Sequence, residues 1–215
     1  MSNFAPIFLL WGFIGYLLGS VPFGLVLTRL AGYGDIRKIG SGNIGATNVL
    51  RTGNKTLALL TVILDAFKAG FGAWLAYHFV ADTEFYFAGY ALKLNVFTSL
   101  LTGLCGILGH MFPIWLKFKG GKGISSALGF LLVTYWQVGV IALVIWLVMA
   151  FTFKYSSLSA LTAAVLVPFV TYLLAPPVYV FFYTIVVVLV IVKHRSNIVR
   201  LIKGQESKIS FKKKA

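Results

Sequence analysis

The chain has 215 residues, of which 59% are hydrophobic and 11% are charged, and its mean hydropathy is +0.91. This composition excludes a water-soluble enzyme and a disordered chain, and a single cysteine, Cys105, excludes a disulfide scaffold. It indicates a protein embedded in a membrane. The net charge of +14 does not indicate nucleic-acid binding, because the 19 Lys and Arg residues lie in short clusters between apolar runs, as membrane topology signals do.

Several apolar runs are long enough to cross a hydrocarbon core, which takes roughly 20 residues. The first, residues 4–30, is too long for a secretory signal and has no small-residue cleavage site, so we interpret it as a membrane helix. The later runs are residues 57–80, 94–116, 124–153, 158–174 and 178–192. An exposed hairpin bearing Asp82, Glu84 and Lys93 separates the second run, 57–80, from the third, 94–116.

The run 124–153 is long enough for one tilted helix or for two short ones that turn at Tyr135, Trp136 and Gln137. With two helices the chain crosses seven times, and 17 of the 19 cations share one side, which satisfies the positive-inside rule. The sequence therefore predicts one domain, residues 1–215, with an all-α fold. It is a polytopic bundle of seven transmembrane helices, some short or partial, with an outside N-terminus and a cytoplasmic basic tail from about residue 193, which includes Lys212, Lys213 and Lys214.

The loop after the first span carries the first motif, residues 40–51, GSGNIGATNVLR. Its glycines allow backbone N–H groups to converge on an anion, and Arg51 offers a two-pronged guanidinium to phosphate. A flexible polar loop is the alternative. The glycine spacing also matches a dinucleotide-binding fingerprint, but the membrane helix before it rules that motif out. The side-chain donors of this motif are Ser41, Asn43, Thr47 and Asn48.

The second motif, residues 109–123, is GHMFPIWLKFKGGKG. Lys117, Lys119 and Lys122 surround a glycine pair, a combination that suits phosphate, although lysines that only set topology are the alternative. The third motif, residues 193–200, begins where the last span ends. As a helix it would place Lys193, Asn197 and Arg200 on one face, with His194 one residue away. A juxtamembrane basic segment that binds anionic lipid headgroups is the alternative.

Two smaller features accompany the motifs. The serines of the patch at residues 156–159 open a span on the same face and are typical of a helix cap. Asp65 and Lys68 lie one helical turn apart inside the second span, so we expect them to be paired or to face the bundle interior. A structural brace and a catalytic role both remain open for this pair.

The chemistry of the motifs favours a strongly anionic, phosphate-bearing substrate. We expect no metal or other cofactor, because the carboxylates that a metal site needs are missing. None of His78, His110 and His194 is followed by an aspartate four or five residues on in a cytoplasmic loop, so the His-x4-Asp dyad of common glycerolipid acyltransferases is absent. A reaction without a strong base remains possible when the donor is already activated.

The three motifs, in this order and between these spans, closely resemble the bacterial acyl-phosphate:glycerol-3-phosphate acyltransferase family over essentially the whole chain. The resemblance implies transfer of a fatty acyl group from acyl phosphate to the 1-hydroxyl of glycerol 3-phosphate, giving lysophosphatidic acid and phosphate in the first acylation step of phospholipid synthesis. It also implies a bacterial inner-membrane protein with a cytoplasmic active site. Its implied partners are both substrates, membrane lipids and the soluble enzyme that makes acyl phosphate, with no nucleic acid.

The resemblance also implies roles for particular residues. The catalytic set is Ser41, Lys122, His194 and Asn197. Asp65 and Lys68 are a candidate supporting pair because of their position in the second span, and not because of the resemblance. The proton acceptor stays open between His194 and the substrate's own phosphate. A transporter or binding protein for an anionic phosphorylated metabolite, and a structural membrane protein with lipid-binding loops, are the alternative functions. The substrate-binding residues that the resemblance implies are Arg51, Lys119 and a serine of the patch, for which Ser157 and Ser159 are the candidates. The motifs themselves add the substrate-binding candidates Asn43, Thr47, Asn48 and Arg200.

Overall fold

The computed structural model describes residues 4–87 and 89–209, so Lys212, Lys213 and Lys214 of the predicted tail lie outside the described residues. The protein is mostly helical. Short 3₁₀ turns at Ile36–Lys38, Leu50–Thr52 and Ile114–Leu116 shape its loops. Its helices are α1 Ala5–Gly19, α2 Phe23–Leu30, α3 Ala46–Val49, α4 Lys55–Phe79, α5 Leu94–Met111, α6 Ile124–Thr134, α7 Trp136–Phe153, α8 Ser156–Leu174, α9 Pro177–Lys193 and α10 Arg195–Ile202.

The helices follow the predicted runs closely, with one break that the sequence analysis missed. The first run is interrupted between α1 and α2, because Pro22 has no N–H to donate and disfavours a helical Val21 before it. The split of the run 124–153 into two helices is confirmed. Tyr135 separates α6 from α7 with φ −154° and ψ 85°, well outside the helical region.

Within the described residues, five segments are long and apolar enough to cross a membrane, and the bent pair α9–α10 makes a sixth if it counts as one span. The segment Ala5–Leu30 counts as one of the five. Helix α6 is apolar but has only 11 residues, about 16 Å of rise, which is half of a hydrocarbon core. The protein is therefore a multi-pass membrane protein, and the predicted number of seven crossings depends on α6.

A short β-hairpin corrects the all-α prediction. Strands β1 Glu84–Phe87 and β2 Tyr90–Lys93 pair antiparallel between α4 and α5, with Glu84 opposite Lys93. Aromatic side chains favour this pairing, and Phe85 is buried against Phe97 with 5.2 Å between ring centroids. The hairpin is the predicted exposed connection. Asp82 and Lys93 form an ion pair of 3.0 Å at its base.

Small residues allow the central helices to approach closely, as is usual where membrane helices pack. A Cβ atom at Gly19 of α1 would overlap the carbonyl oxygen of Gly106 of α5, and one at Gly129 of α6 would overlap the carbonyl oxygen of Ala66 of α4. Helices α1, α4, α5 and α6 therefore form a tight block. This packing holds together the ends that carry the first and second motifs.

A buried charged cluster crosses the same block. Asp65 and Lys68 of α4 lie 2.8 Å apart, which confirms that they are paired, and His110 Nδ1 of α5 lies 3.6 Å from the same Asp65 oxygen. Lys68 also donates to the carbonyl of Val21 at the break after α1, with a distance of 2.7 Å. The Ser126 hydroxyl of α6 donates to the Asp65 backbone carbonyl over 2.8 Å. The cluster thus ties four segments together just beneath the polar motifs.

Candidate active site

The three motifs and the start of α8 meet around one cavity of about 320 Å³. Its mouth is polar. Further in, the walls are apolar and belong to α6, α7, α8 and α9. The polar lining residues include Ser41, Asn43, Thr47, Asn48, Arg51, Lys122, Ser125, Ser156, Ser157, His194, Asn197, Arg200, Glu206 and Ser207, with Asp65 and His110 at the floor.

The buried side chain of Asn48 shapes the first motif. Its Nδ2 donates to the carbonyl oxygens of Ile36 and Asn43 at 2.7 and 2.8 Å. Its Oδ1 accepts from the backbone N–H of Ser41 at 3.2 Å. Gly40 within this loop has a φ of +54°, and a Cβ there would overlap the Arg51 guanidinium. The amide of Asn48 is thus committed to forming the cradle that displays Ser41 to the cavity.

Two contacts join the first motif to the rest of the site. Arg51 Nη2 donates to the Ser207 hydroxyl over 2.8 Å, which links it to the segment after α10. The hydroxyls of Thr47 and Ser156 lie 3.2 Å apart, which links the loop to the first residue of α8. The first motif is therefore held against both α8 and the segment after α10.

The second motif contributes Lys122 to the cavity. Its Nζ donates to Asn197 Oδ1 over 2.5 Å, so the second and third motifs touch directly. Burial lowers the pKa of Lys122 to about 8; nearby Arg200 and Arg51 lower it as well, and Glu206 opposes them. A buried lysine with other cations around it is well placed to accept the negative charge of a phosphate.

The third motif bends where α9 meets α10. The two helices are inclined by 60°, and His194 lies at the corner. His194 Nδ1 donates to the Val190 carbonyl over 2.8 Å; because a carbonyl oxygen only accepts, Nδ1 carries the hydrogen and Nε2 remains an acceptor. Burial lowers the pKa of His194 to about 4, and Lys122 adds to this effect, so the ring is neutral at physiological pH.

The bend also separates residues that a straight helix would have kept on one face. Lys193 turns away from His194, donates to the Met111 carbonyl over 2.8 Å and lies 4.4 Å from the centre of the Phe112 ring. It lines a second, adjoining cavity of about 400 Å³, which shares Ser41, Asn43, Lys122 and Arg200 with the first. The predicted stripe of Lys193, Asn197 and Arg200 is therefore only partly formed.

Glu206, which the sequence analysis did not place in the site, is its only carboxylate at the mouth among the described residues. It accepts hydrogen bonds from Ser157 Oγ at 2.8 Å, Asn197 Nδ2 at 2.6 Å and Arg200 Nε at 2.7 Å. Burial by itself raises the pKa of Glu206, but these three hydrogen bonds outweigh it and hold the pKa below its usual range. The one sequence signal was that Glu206 is the sole acid in the tail from residue 193 onward.

The inner part of the cavity is a tunnel with small and aliphatic walls. One side is formed by α8, through Ala160, Ala163 and Val167, and the facing side by α9, through Val187 and Val190. The cavity therefore joins a cationic mouth to an apolar interior. A molecule with a phosphate at one end and a hydrocarbon chain at the other would satisfy both parts.

Comparison with known proteins agrees with this geometry. A family model described as glycerol-3-phosphate acyltransferase matches residues 9–204. The chain belongs to the glycerol-3-phosphate acyltransferase family. A curated relative of that name from Mesorhizobium japonicum is 53% identical over 198 residues, covering 92% of this chain and 94% of its own. Another from Rhodospirillum rubrum is 52% identical over 201 residues, covering 94% and 90%.

The fold matches solved members of the same family. A crystal structure of PlsY, an integral membrane glycerol 3-phosphate acyltransferase in its glycerol 3-phosphate form, superposes with a TM-score of 0.82 at 34% identity, covering 94% of this chain and 96% of the other. The lysophosphatidic acid form of PlsY gives 0.81 at 32% identity, covering 95% and 96%. The family resemblance stated from the three motifs is confirmed.

This acyltransferase family member brings together most, but not all, of the residues singled out in its sequence. Lys119 is exposed and lies outside the lining of the cavity, as does Lys117. Ser159 is buried and donates to the Tyr155 carbonyl over 2.8 Å, whereas Ser156 and Ser157 reach the cavity. Of the supporting pair, Asp65 lines the cavity floor beside His110, and Lys68 lies behind it.

Proposed function

We propose that this protein transfers a fatty acyl group from an acyl phosphate to the 1-hydroxyl of glycerol 3-phosphate, giving lysophosphatidic acid and phosphate. The observation that carries the proposal is the single cavity with a cationic mouth and an apolar tunnel. The family membership supports glycerol 3-phosphate as the acceptor, since solved relatives carry glycerol 3-phosphate and lysophosphatidic acid. The choice of acyl phosphate as donor rests on the site, which offers positioning and charge but no strong base.

Two phosphates are the ligands that the mouth suits best. Arg51, Lys122 and Arg200 face the cavity, and Glu206 is the one carboxylate at its mouth among the described residues. A guanidinium binds phosphate through two parallel hydrogen bonds, and a lysine contributes a compact charge. Ser41 and Ser157 add hydroxyls. The excess of positive charge favours one phosphate from each substrate.

The reaction we infer needs no covalent enzyme intermediate. The 1-hydroxyl oxygen of glycerol 3-phosphate attacks the carbonyl carbon of the acyl phosphate, and the bond between that carbon and the bridging phosphate oxygen breaks. Phosphate leaves with the electron pair, beside Lys122 and Asn197. These donors stabilise the charge that develops on the leaving oxygens, and fixed donors in a water-poor site contribute most to such a step.

His194 orients the attacking hydroxyl instead of taking its proton. Its Nε2 accepts a hydrogen bond, but a pKa of about 4 makes it a weak base at neutral pH. A phosphate monoester has a second pKa of about 6 and is the stronger base of the two. We therefore infer that a substrate phosphate receives the hydroxyl proton, and an activated donor allows such a modest base to suffice.

The membrane arrangement completes the proposal. We infer seven crossings, with α6 as the short one, in a single domain of the bacterial inner membrane whose N-terminus is outside and whose site faces the cytoplasm. The basic loops on that side support this orientation. A cytoplasmic site also gives access to glycerol 3-phosphate, to the lipids of the inner leaflet and to a soluble enzyme that makes acyl phosphate.

The purified protein in detergent should form lysophosphatidic acid and one phosphate per turnover from acyl phosphate and glycerol 3-phosphate. Mass spectrometry of the lipid and a colorimetric phosphate assay measure both products. Acyl-CoA offered as the donor is the control and should give little product, because no part of the proposed step uses its thiol leaving group. Absence of lysophosphatidic acid with acyl phosphate would exclude the proposed reaction.

Replacing the histidine separates the two proton routes. His194→Ala should lower kcat by about 10- to 100-fold, because a hydroxyl that is no longer oriented attacks less often. The pH dependence below neutrality should keep its shape, since the phosphate still takes the proton. If kcat instead fell by about 10⁴-fold and the decrease of kcat at acidic pH disappeared, His194 would be the base.

A further inference from the structure

The tunnel has a fixed inner end. On α9 the deepest residue of the lining is Tyr183, whose side chain is fully buried. Its hydroxyl lies 2.7 Å from Thr134 Oγ1 at the end of α6. Because Thr134 gives its own hydrogen to the Phe130 carbonyl over 2.7 Å, the tyrosine is the donor in this pair. Its ring meets the Phe130 ring edge-on with centroids 5.5 Å apart, so both ends of the side chain are held.

We propose that Tyr183 is a specificity-determining residue, which sets the acyl-chain length that the tunnel accepts. This inference rests on the proposed function. An acyl group whose carbonyl lies beside His194 would extend along α9 toward the Tyr183 ring. The hydroxyl and the ring are anchored on α6, so the end is rigid. Carbons beyond it have no further tunnel to enter and must leave sideways toward the lipid.

The rise of the two helices that line the tunnel gives the length of acyl chain that it can hold. From His194 to Tyr183, α9 rises roughly 16 Å. The facing wall on α8, from Ser157 to Val167, rises roughly 15 Å. With C–C bonds of about 1.5 Å and angles of about 111°, an extended chain advances about 1.25 Å per carbon, so the tunnel holds about 12 to 13 carbons.

This length predicts a break in the dependence of rate on chain length. Up to that length kcat/KM should change little with each added methylene, because the methylene is in an apolar environment both in the micelle and in the tunnel. Beyond about 13 carbons kcat/KM should fall, because the chain no longer fits and must bend out of the tunnel. The partition of the donors into micelles is the same for every variant. A difference in the position of the break between variants therefore comes from the tunnel.

Two substitutions should move the break in opposite directions. Tyr183→Ala removes the ring and opens the tunnel to Tyr179, whose ring centroid lies 6.1 Å away from that of Tyr183. The break should then move to chains about five carbons longer. Ala163→Leu fills the tunnel roughly 9 Å from Ser157, so the break should move to about seven or eight carbons.

The test presents the purified enzyme with glycerol 3-phosphate and an equimolar mixture of saturated acyl phosphates of 8 to 18 carbons. The distribution of lysophosphatidic acids is measured by mass spectrometry and divided by that of the wild type, which cancels micelle partition. Tyr183→Ala should enrich products of 16 and 18 carbons at least tenfold over that of 12. Ala163→Leu should enrich the product of 8 carbons at least tenfold over that of 12.

Matched controls distinguish the tunnel from general damage. Val165→Leu on α8 and Val188→Ala on α9 alter residues that are 46% and 55% exposed on the lipid side, so the distribution should stay unchanged. Tyr183→Phe keeps the ring and should also preserve it. An unchanged distribution in both Tyr183→Ala and Ala163→Leu overturns the proposal, and Ala163→Leu alone decides it if Tyr183→Ala does not fold. Failure of the wild type to form any lysophosphatidic acid would instead be a failure of the proposed function.

Discussion

Lys122→Ala should lower kcat/KM for glycerol 3-phosphate by about 10³-fold or more. The ammonium group lies 2.5 Å from Asn197 and faces the cavity with Arg51 and Arg200, so its removal takes away charge at the point where we propose that phosphate binds and leaves. The loss of one fixed donor to developing negative charge typically costs 10² to 10³ in rate, and Asn197 loses its partner as well. Steady-state kinetics with acyl phosphate measures the effect.

The same loop offers a matched control. Lys119 lies three residues earlier and is exposed outside the cavity, so Lys119→Ala should change kcat/KM by less than about threefold. Equal losses in the two variants would mean that the loop needs charge in general. The interpretation of Lys122 as a phosphate ligand would then be wrong.

The pH dependence gives an independent reading of the same residue. Burial first, and then Arg200 and Arg51, lower the pKa of Lys122 to about 8, against the opposing effect of Glu206. The cation exists below this pKa, so kcat/KM, which reports the free enzyme, should fall above pH 8. In Lys122→Arg the guanidinium stays charged, and this fall should disappear even if the absolute rate is lower.

The membrane fold was largely predictable because hydropathy and charge act locally. Runs of apolar residues must satisfy their backbone groups as helices, and the positions of the lysines and arginines decided between one helix and two after Ile124. The break at Pro22 was not predicted, and the exposed hairpin was predicted without the β-pairing of Glu84–Phe87 with Tyr90–Lys93. Both occur inside or beside apolar runs whose length alone indicates a helix.

The sequence predicted which motifs form the site, but it predicted less well what each residue does there. Asn48 was expected to face substrate, yet its amide is used to fold the loop, because a buried amide must first satisfy its own hydrogen bonds. Ser157 and Ser159 could not be separated by sequence. The helix places Ser157 toward Glu206 and leaves Ser159 to bond within its own first turn.

Glu206 shows what only the tertiary structure reveals. No motif surrounds it, and an acid in a basic tail is usually solvated. In the folded protein, Ser157 from α8 and Asn197 and Arg200 from α10 all donate to it, and the Ser207 hydroxyl beside it accepts from Arg51. One carboxylate therefore holds the third motif against α8 at the edge of the proposed phosphate site.

Glu206→Gln should accordingly lower kcat/KM by about 10²-fold. The amide retains one acceptor oxygen, but its NH₂ group cannot accept from Arg200 Nε, so the guanidinium and Asn197 lose their fixed positions, and a displacement of about 1 Å costs about this much. Glu206→Asp should also be impaired, because the shorter side chain cannot reach all three donors. Gln205→Ala, at the exposed neighbouring position, is the control and should retain wild-type kinetics. Faster turnover in Glu206→Gln would give the opposite picture, in which the carboxylate competes with substrate phosphate for the cations of the mouth.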